Sequence, residues 1–272
     1  MKIGLFYFSA TNNTAKIADA VANSFESYND VIVNRNDITS YSARKNKFEL
    51  DKYDAIVFGS PTYELRAPKI IREWLKTLEG NNQKVSTFFT YGGGTPGIAA
   101  QNAKDILEDR NFQVVSSGEF IGRNTNNLAG WNMMEGRPNQ EDFDVVKEFV
   151  KKTYARFIGE DNGLLELPPR EVSEKFADQG EAMGKKRRVP PSRHGETCSL
   201  CRTCEEECPT NAMNAETGEA VPEKCMGCLR CVYNCPDKAM KAPDRSKMEA
   251  FVRKVLKLTP EIMASKKSKY YL

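Results

Sequence analysis

Residues 2–28 read KIGLFYFSATNNTAKIADAVANSFESY. Residues 2–8 are an unbroken apolar run of strand length. Thr14–Tyr28 has helical periodicity, with Ile17, Ala18, Val21, Ala22 and Phe25 on one face. A strand that passes through a six-residue turn into an amphipathic helix is the first unit of an alternating α/β chain. Val31–Asn34 and Ala55–Gly59 read as the second and third strands. Pro68–Leu78 reads as a helix whose first turn accommodates the proline. Val85–Thr90 is a fourth strand, Ala99–Leu107 a helix, Val114–Ser117 the centre of a fifth strand, and Glu141–Phe157 a closing helix. Strands that alternate with helices in this way predict a doubly wound, five-stranded parallel sheet over residues 1–158, covered on both faces.

The turn Ser9-Ala10-Thr11-Asn12-Asn13-Thr14 lacks the lysine and flanking glycines of a nucleoside-triphosphate loop. It offers three hydroxyls and several backbone amides at a helix N-terminus, a nest that can hold a phosphate dianion without a countercharge. An ordinary helix cap needs one such residue; here five of six positions are cappers. Two more loops leave strands at their carboxyl ends, where open α/β sheets bind ligands. One is Ser60-Pro61-Thr62-Tyr63-Glu64. The other is Tyr91-Gly92-Gly93-Gly94-Thr95-Pro96-Gly97, whose glycines let backbone approach a planar ring. Gly92, Gly94 and Gly97 also spell G-x-G-x-x-G, but after the fourth strand rather than the first, so nicotinamide binding is not expected there. The Asn- and Gly-rich stretch 120–139, with Trp131, reads equally as a lid, a docking surface or a plain connection.

At the phosphate turn the chain resembles the flavodoxins, whose loop runs Ser/Thr-x-Thr-Gly-Asn-Thr after the first strand. Ser9, Thr11, Asn13 and Thr14 match, and Asn12 stands where glycine is usual. Asparagine tolerates positive φ better than other non-glycine residues, so the departure is mild. The resemblance spans residues 1–158 and implies bound FMN. It also implies that the loops holding Ser60, Pro61, Thr62 and Tyr63 and holding Tyr91, Gly92, Gly93 and Gly94 flank the flavin, with Tyr63 stacked on the ring.

All eight cysteines fall between Cys198 and Cys235. Cys198, Cys201, Cys204 and Cys208 precede Pro209; Cys225, Cys228, Cys231 and Cys235 precede Pro236. Both runs read C-x₂-C-x₂-C-x₃-C-P, the spacing that holds iron–sulfur cubanes. Three close cysteines wrap one cluster and the fourth reaches the other. One set is thus Cys198, Cys201, Cys204 and Cys235, and the second is Cys225, Cys228, Cys231 and Cys208. Zinc ribbons use separated C-x₂-C pairs and do not predict a third and fourth cysteine before proline. A disulfide framework goes with secretion, and the chain opens directly on a strand without a signal peptide, which points to the cytoplasm. Residues 196–244 are similar to the two-cluster bacterial ferredoxins, a small α+β domain that moves single electrons at low potential.

Gly159, Gly163, Pro168, Pro169, Gly180, Gly184, Pro190 and Pro191 mark residues 159–195 as a linker with one short helix near Ser173–Met183. Residues 245–272 are expected to form a helix at Lys247–Leu258 and a frayed basic tail. The net charge of +3 gives no reason to expect nucleic acid, and no apolar stretch is long enough for a membrane span. Residues 196–244 carry nine acidic and five basic side chains, flanked by basic segments that include Lys185, Lys186, Arg187 and Arg188. No nucleophile–base–orienter set stands out. The whole resembles the flavodoxin–ferredoxin fusion proteins of anaerobes. That resemblance implies electron transfer between FMN, two [4Fe–4S] clusters and a partner such as a ferredoxin, flavodoxin or reductase. A flavin-dependent oxidoreductase, NAD(P)H-linked or acting on an organic substrate, is the alternative. Oligomeric state is open, with a dimer among the possibilities.

Overall fold

The computed structural model, which describes residues 1–195 and 197–272, builds the first strand–helix unit as β1 (Lys2–Tyr7) and α1 (Asn13–Glu26). The alternation continues through β2 (Ile32–Asp37), β3 (Ala55–Pro61), α2 (Lys69–Leu75), β4 (Lys84–Tyr91), α3 (Ala99–Glu108), β5 (Gln113–Ile121) and α4 (Gln140–Phe157). These five strands are parallel and lie in the order β5-β4-β3-β1-β2. The order reverses between β1 and β3, which opens a crevice at their carboxyl ends, the usual ligand site of such sheets. Successive side chains face opposite ways, so each strand feeds two cores. Ile3, Leu5, Val57 and Phe88 pack with α1 and α4, whereas Phe6, Phe8, Phe58 and Phe89 pack with α2 and α3. Burial on both faces is why these strands read as unbroken apolar runs.

The chain then forms α5 (Glu174–Arg187), β6 (Ser192–Arg193), α6 (Thr203–Glu206), β7 (Met213–Asn214), β8 (Glu219–Ala220), α7 (Arg230–Asn234) and β9 (Met240–Lys241). It closes with α8 (Ser246–Val255), α9 (Pro260–Ser265) and β10 (Lys269–Tyr271). β6 pairs antiparallel with β9, and β7 with β8, making the expected small α+β unit. Its first strand comes from residues expected to be linker.

Two segments differ from the expected layout. Residues 159–187 are docked on the sheet domain rather than free. The buried Arg66 guanidinium donates to Glu174 at 2.6 Å, Asp178 at 2.7 Å and Glu181 at 2.9 Å, while Arg72 reaches Glu181 at 2.6 Å. Leu165 and Leu167 pack against the core beside α2 and α3. The tail is not frayed at its end either. β10 adds an antiparallel sixth strand beside β5, with Lys269 opposite Glu119 and Tyr271 opposite Ser117. Ser268 locks the junction: its hydroxyl donates to Asp142 at 2.5 Å and accepts from the Ile121 amide at 2.9 Å. An edge strand with open amides and carbonyls is a template for such pairing.

Candidate functional site

The crevice between β1 and β3 is a cleft of about 290 Å³. Ser9, Thr11, Asn13 and Thr14 line it from the first turn; Pro61, Thr62 and Tyr63 line it from the β3 loop, and Tyr91 and Gly92 from the β4 loop. Asn12 caps α1 in the left-handed conformation (φ 65°), as its place in a glycine position predicts, and its side chain makes no capping bond. Among the described residues no acceptor meets the amides of Thr11, Asn12, Asn13 or Thr14. The Ala15 amide, one residue on, donates to Ser9 Oγ at 3.0 Å. Hydroxyl pairs pin the turn in place: Thr14 with Thr90 at 2.7 Å and Thr11 with Thr125 at 3.1 Å. Orphan amides converging at a helix N-terminus fit a phosphate.

Four expected residues stand back from the cleft. Asn12 shapes the turn, and Ser60 is buried with its hydroxyl on the Pro61 carbonyl at 3.0 Å. Gly93 lies against Met134, and Lys266 donates to the Gly94 carbonyl at 2.8 Å. The G-x-G-x-x-G loop is used for packing: Gly97 has φ 66°, and a Cβ there would meet Leu65 backbone at 2.5 Å. Tyr63 rests its ring on the core, and its hydroxyl, beside Thr125 but outside hydrogen-bond geometry, has no partner among the described residues. Burial and then Glu119 push the Tyr91 hydroxyl up to about 12, so it adds no charge to the cleft. An unpaired buried hydroxyl and a row of unpaired amides in one apolar-to-polar crevice match the two ends of FMN.

Other cleft residues come from segments whose sequence left their role open. Asn124, Thr125, Asn126 and Trp131 come from the stretch after β5, and Arg188 follows α5. Met226, Gly227 and Arg245 come from beyond the sheet domain, and the first two sit inside the Cys225–Cys228 loop. The contact between halves is hydrogen-bonded as well. Arg230, between Cys228 and Cys231, donates to the Ser9 carbonyl at 2.7 Å, and Tyr41 donates its amide to the Cys208 carbonyl at 3.3 Å. His194 is exposed, and among the described residues its ring bonds only to Ser192.

Cys198, Cys201, Cys204 and Cys235 line one small cavity, although Cys235 belongs to the other run. The charge of Cys208 in turn bears on Cys225, Cys228 and Cys231. Both runs wrap alike. Leu200 and Arg202 in the first, and Gly227 and Leu229 in the second, hold equivalent positions at positive φ. Left-handed residues set between cysteines turn successive amides inward, toward sulfur. Gly227 and Ala212 amides reach Cys225 and Cys208 sulfur at 3.4 and 3.3 Å. Burial pushes the Cys225 and Cys231 thiols up and Cys228 to about 12, with neighbouring cysteines adding to it. Thiols held up in this way would ionise only on binding a cationic core, which an iron–sulfur cluster would provide.

Residues 5–125 match the family model of the flavodoxin domain, and residues 190–236 match that of a 4Fe-4S dicluster domain. An uncharacterized protein of Methanocaldococcus jannaschii is 28% identical over 109 residues, covering 38% of this chain and 70% of the relative. A flavodoxin from the domain Archaea is 20% identical, with 58% of this chain and 99% of that one covered and a TM-score of 0.44. Flavodoxin 2 from Bacillus cereus is 19% identical, with 57% and 99% covered and a TM-score of 0.44. The two family models carry the two cofactor types, FMN in the first and a pair of [4Fe–4S] clusters in the second. The chain is a fusion of an N-terminal flavodoxin-like FMN domain and a C-terminal 4Fe–4S dicluster ferredoxin domain.

Proposed function

We propose that this flavin and iron–sulfur protein is an electron carrier that exchanges electrons between its flavin cleft and a partner protein docked near Cys201. One observation carries the reading: Met226 and Gly227, from the Cys225–Cys228 loop, share a cleft with the phosphate turn. FMN supplies exchange between paired and single electrons, and [4Fe–4S] clusters handle single electrons. Ser9, Thr11, Asn13 and Thr14 would hold the phosphate, aided by the turn that Asn12 makes. Thr62, Tyr63, Tyr91 and Gly92 would border the ring, with Trp131 and Met226 keeping water from it. Cys208, Cys225, Cys228 and Cys231 would ligate the inner cluster, and Cys198, Cys201, Cys204 and Cys235 the outer one. Cys201 and Leu200 are exposed; Glu205 and Glu216 pair with Arg202 beside them, and Asp237 accepts from the Ser199 amide. A redox protein with a basic docking patch suits that face. Eight cysteines committed to two clusters suit a reducing compartment such as the cytoplasm.

Photoreduction of the outer cluster in the loaded protein tests the path. Flavin bleaching should follow with a first-order rate that is unchanged when the protein is diluted tenfold. A rate proportional to protein concentration would place the path between chains and overturn the reading. A second function rests on a separate observation. An apolar cavity of about 580 Å³ between the halves shares Tyr63, Glu64, Arg188 and Met226 with the flavin cleft. A small organic substrate there would make the protein a flavin-dependent oxidoreductase, and quenching of flavin fluorescence by such compounds would reveal it.

A further inference from the structure

Two arginines enter the cleft from outside the sheet, and their pairing is unusual. Arg188 donates to the Cys225 carbonyl at 3.2 Å and to the Glu64 carboxylate at 3.3 Å. Its stem lies over Gly227, where φ is 71° and a Cβ would meet Arg188 Cδ at 2.7 Å. Arg245 donates to Asn126 Oδ1 at 2.7 Å and to the Val189 carbonyl at 3.3 Å; among the described residues it has no carboxylate. Burial pushes the Glu64 carboxyl up against the pull of Arg188, which weakens the one acid on hand. At the boundary between the cleft and the Cys225 loop, two half-buried cations thus have, among the described residues, one carboxylate between them, held by Arg188.

A desolvated cation without an acid is costly unless an anion completes it. Anions are expected on both sides here, the flavin and the thiolate-held cluster. We propose that Arg188 and Arg245 are positioning cations that favour reduced over oxidised FMN in the cleft and so raise the flavin potential. The proposal rests on FMN occupying that cleft. Reduction by two electrons from the iron–sulfur half with uptake of one solvent proton converts FMN to FMNH⁻. The ring thereby gains one negative charge, which a nearby guanidinium favours. The same cations lessen repulsion between the reduced ring and the inner cluster, so the two centres can lie close.

The experiment is a spectroelectrochemical titration of the fully loaded protein with Arg188→Gln, Arg245→Gln and Arg245→Lys. FMN dissociation constants are measured for the oxidised and reduced forms. Each Gln variant should weaken the hold on reduced FMN about tenfold more than on oxidised FMN, a drop of ~30 mV in the two-electron potential. Arg245→Lys should restore most of it. Should Arg245→Gln fail to fold, Asn126→Asp places a carboxylate on Arg245 and should shift the potential the same way. Unchanged potentials in variants that still bind FMN would overturn the proposal and leave the arginines as interdomain fasteners. Failure of the FMN assignment itself reads differently: Thr14→Trp would then leave FMN affinity unaltered.

Discussion

The sheet domain and the ferredoxin unit bury their chains by different means. In the former, two aromatic-rich cores flank the sheet, with Phe6, Phe8, Phe25, Phe88, Phe120 and Phe149 fully buried. The ferredoxin unit buries small or flexible side chains such as Ala212, Met213, Ala215, Ala239 and Met240, and its strands are two residues long. A unit of that size lies near the limit below which metals usually replace a hydrophobic core. The sheet domain should therefore stand without its cofactor, whereas folding of the ferredoxin unit and cluster binding should be one event.

Removal of iron by a chelator under reducing conditions is the strongest way to break this comparison. Hydrogen exchange should show amides of residues 198–241 losing protection as a block while β1 to β5 keep theirs. A cysteine-rich unit that stays protected without iron would erase the contrast. Cys208→Ala sharpens it at one remove. About half of the roughly eight irons should be lost, and electron paramagnetic resonance should lose the signal of the Cys225 set, although Cys208 lies in the other run.

In the sheet domain the expected effects are those of a packed core. Phe88→Ala should cost about 3–5 kcal/mol in urea unfolding of the sheet domain. Leu200→Ala, at a residue 54% exposed, should change it by less than about 0.5 kcal/mol. Equal costs would mean that the halves are not stabilised differently.

The docking of α5 gives a smaller effect than the core does. Hydrogen bonds from Arg66, against a small burial cost, hold the Asp178 carboxyl below its ordinary range. At Glu174 burial acts upward, but the Arg66 and Asn102 hydrogen bonds and the Arg66 charge outweigh it. Carboxyls lowered by folding add stability that is fully present above their unfolded values and lost as pH falls through the folded ones. α5 should thus stay docked at neutral pH and loosen below about pH 4, detected as new proteolysis by pepsin in residues 159–187. Arg66→Met should cost about 2 kcal/mol at pH 7 and remove that pH dependence.

Much of the architecture was legible because its signals are local. The strand and helix periods of residues 2–157 come within a few residues of the observed bounds, and the left-handed turn at Asn12 follows from asparagine standing in a glycine position. The cysteine spacing likewise encodes a wrap that repeats its left-handed positions in both runs. Signals of long range were not legible. Prolines and glycines in residues 159–195 read as a linker, yet acids at helical spacing, Glu174, Asp178 and Glu181, meet Arg66 across 108 or more positions. The lysine-rich tail read as frayed because nothing near it shows that β5 offers an open edge.

The chemistry of this protein is thus written in short stretches: a phosphate turn that needs consecutive amides and two cysteine runs that need fixed spacing. These are properties of a few adjacent residues, so the amino-acid order determines them directly. The tertiary structure alone decides that the Cys225 loop forms a wall of the cleft proposed for FMN, and that Arg188 and Arg245 line it too. The bonds from Arg230 to Ser9, Arg188 to Glu64 and Arg245 to Asn126 join residues 221, 124 and 119 positions apart. Which of the many basic residues meets the cleft depends on how α5, α8 and the sheet pack, and composition does not encode that.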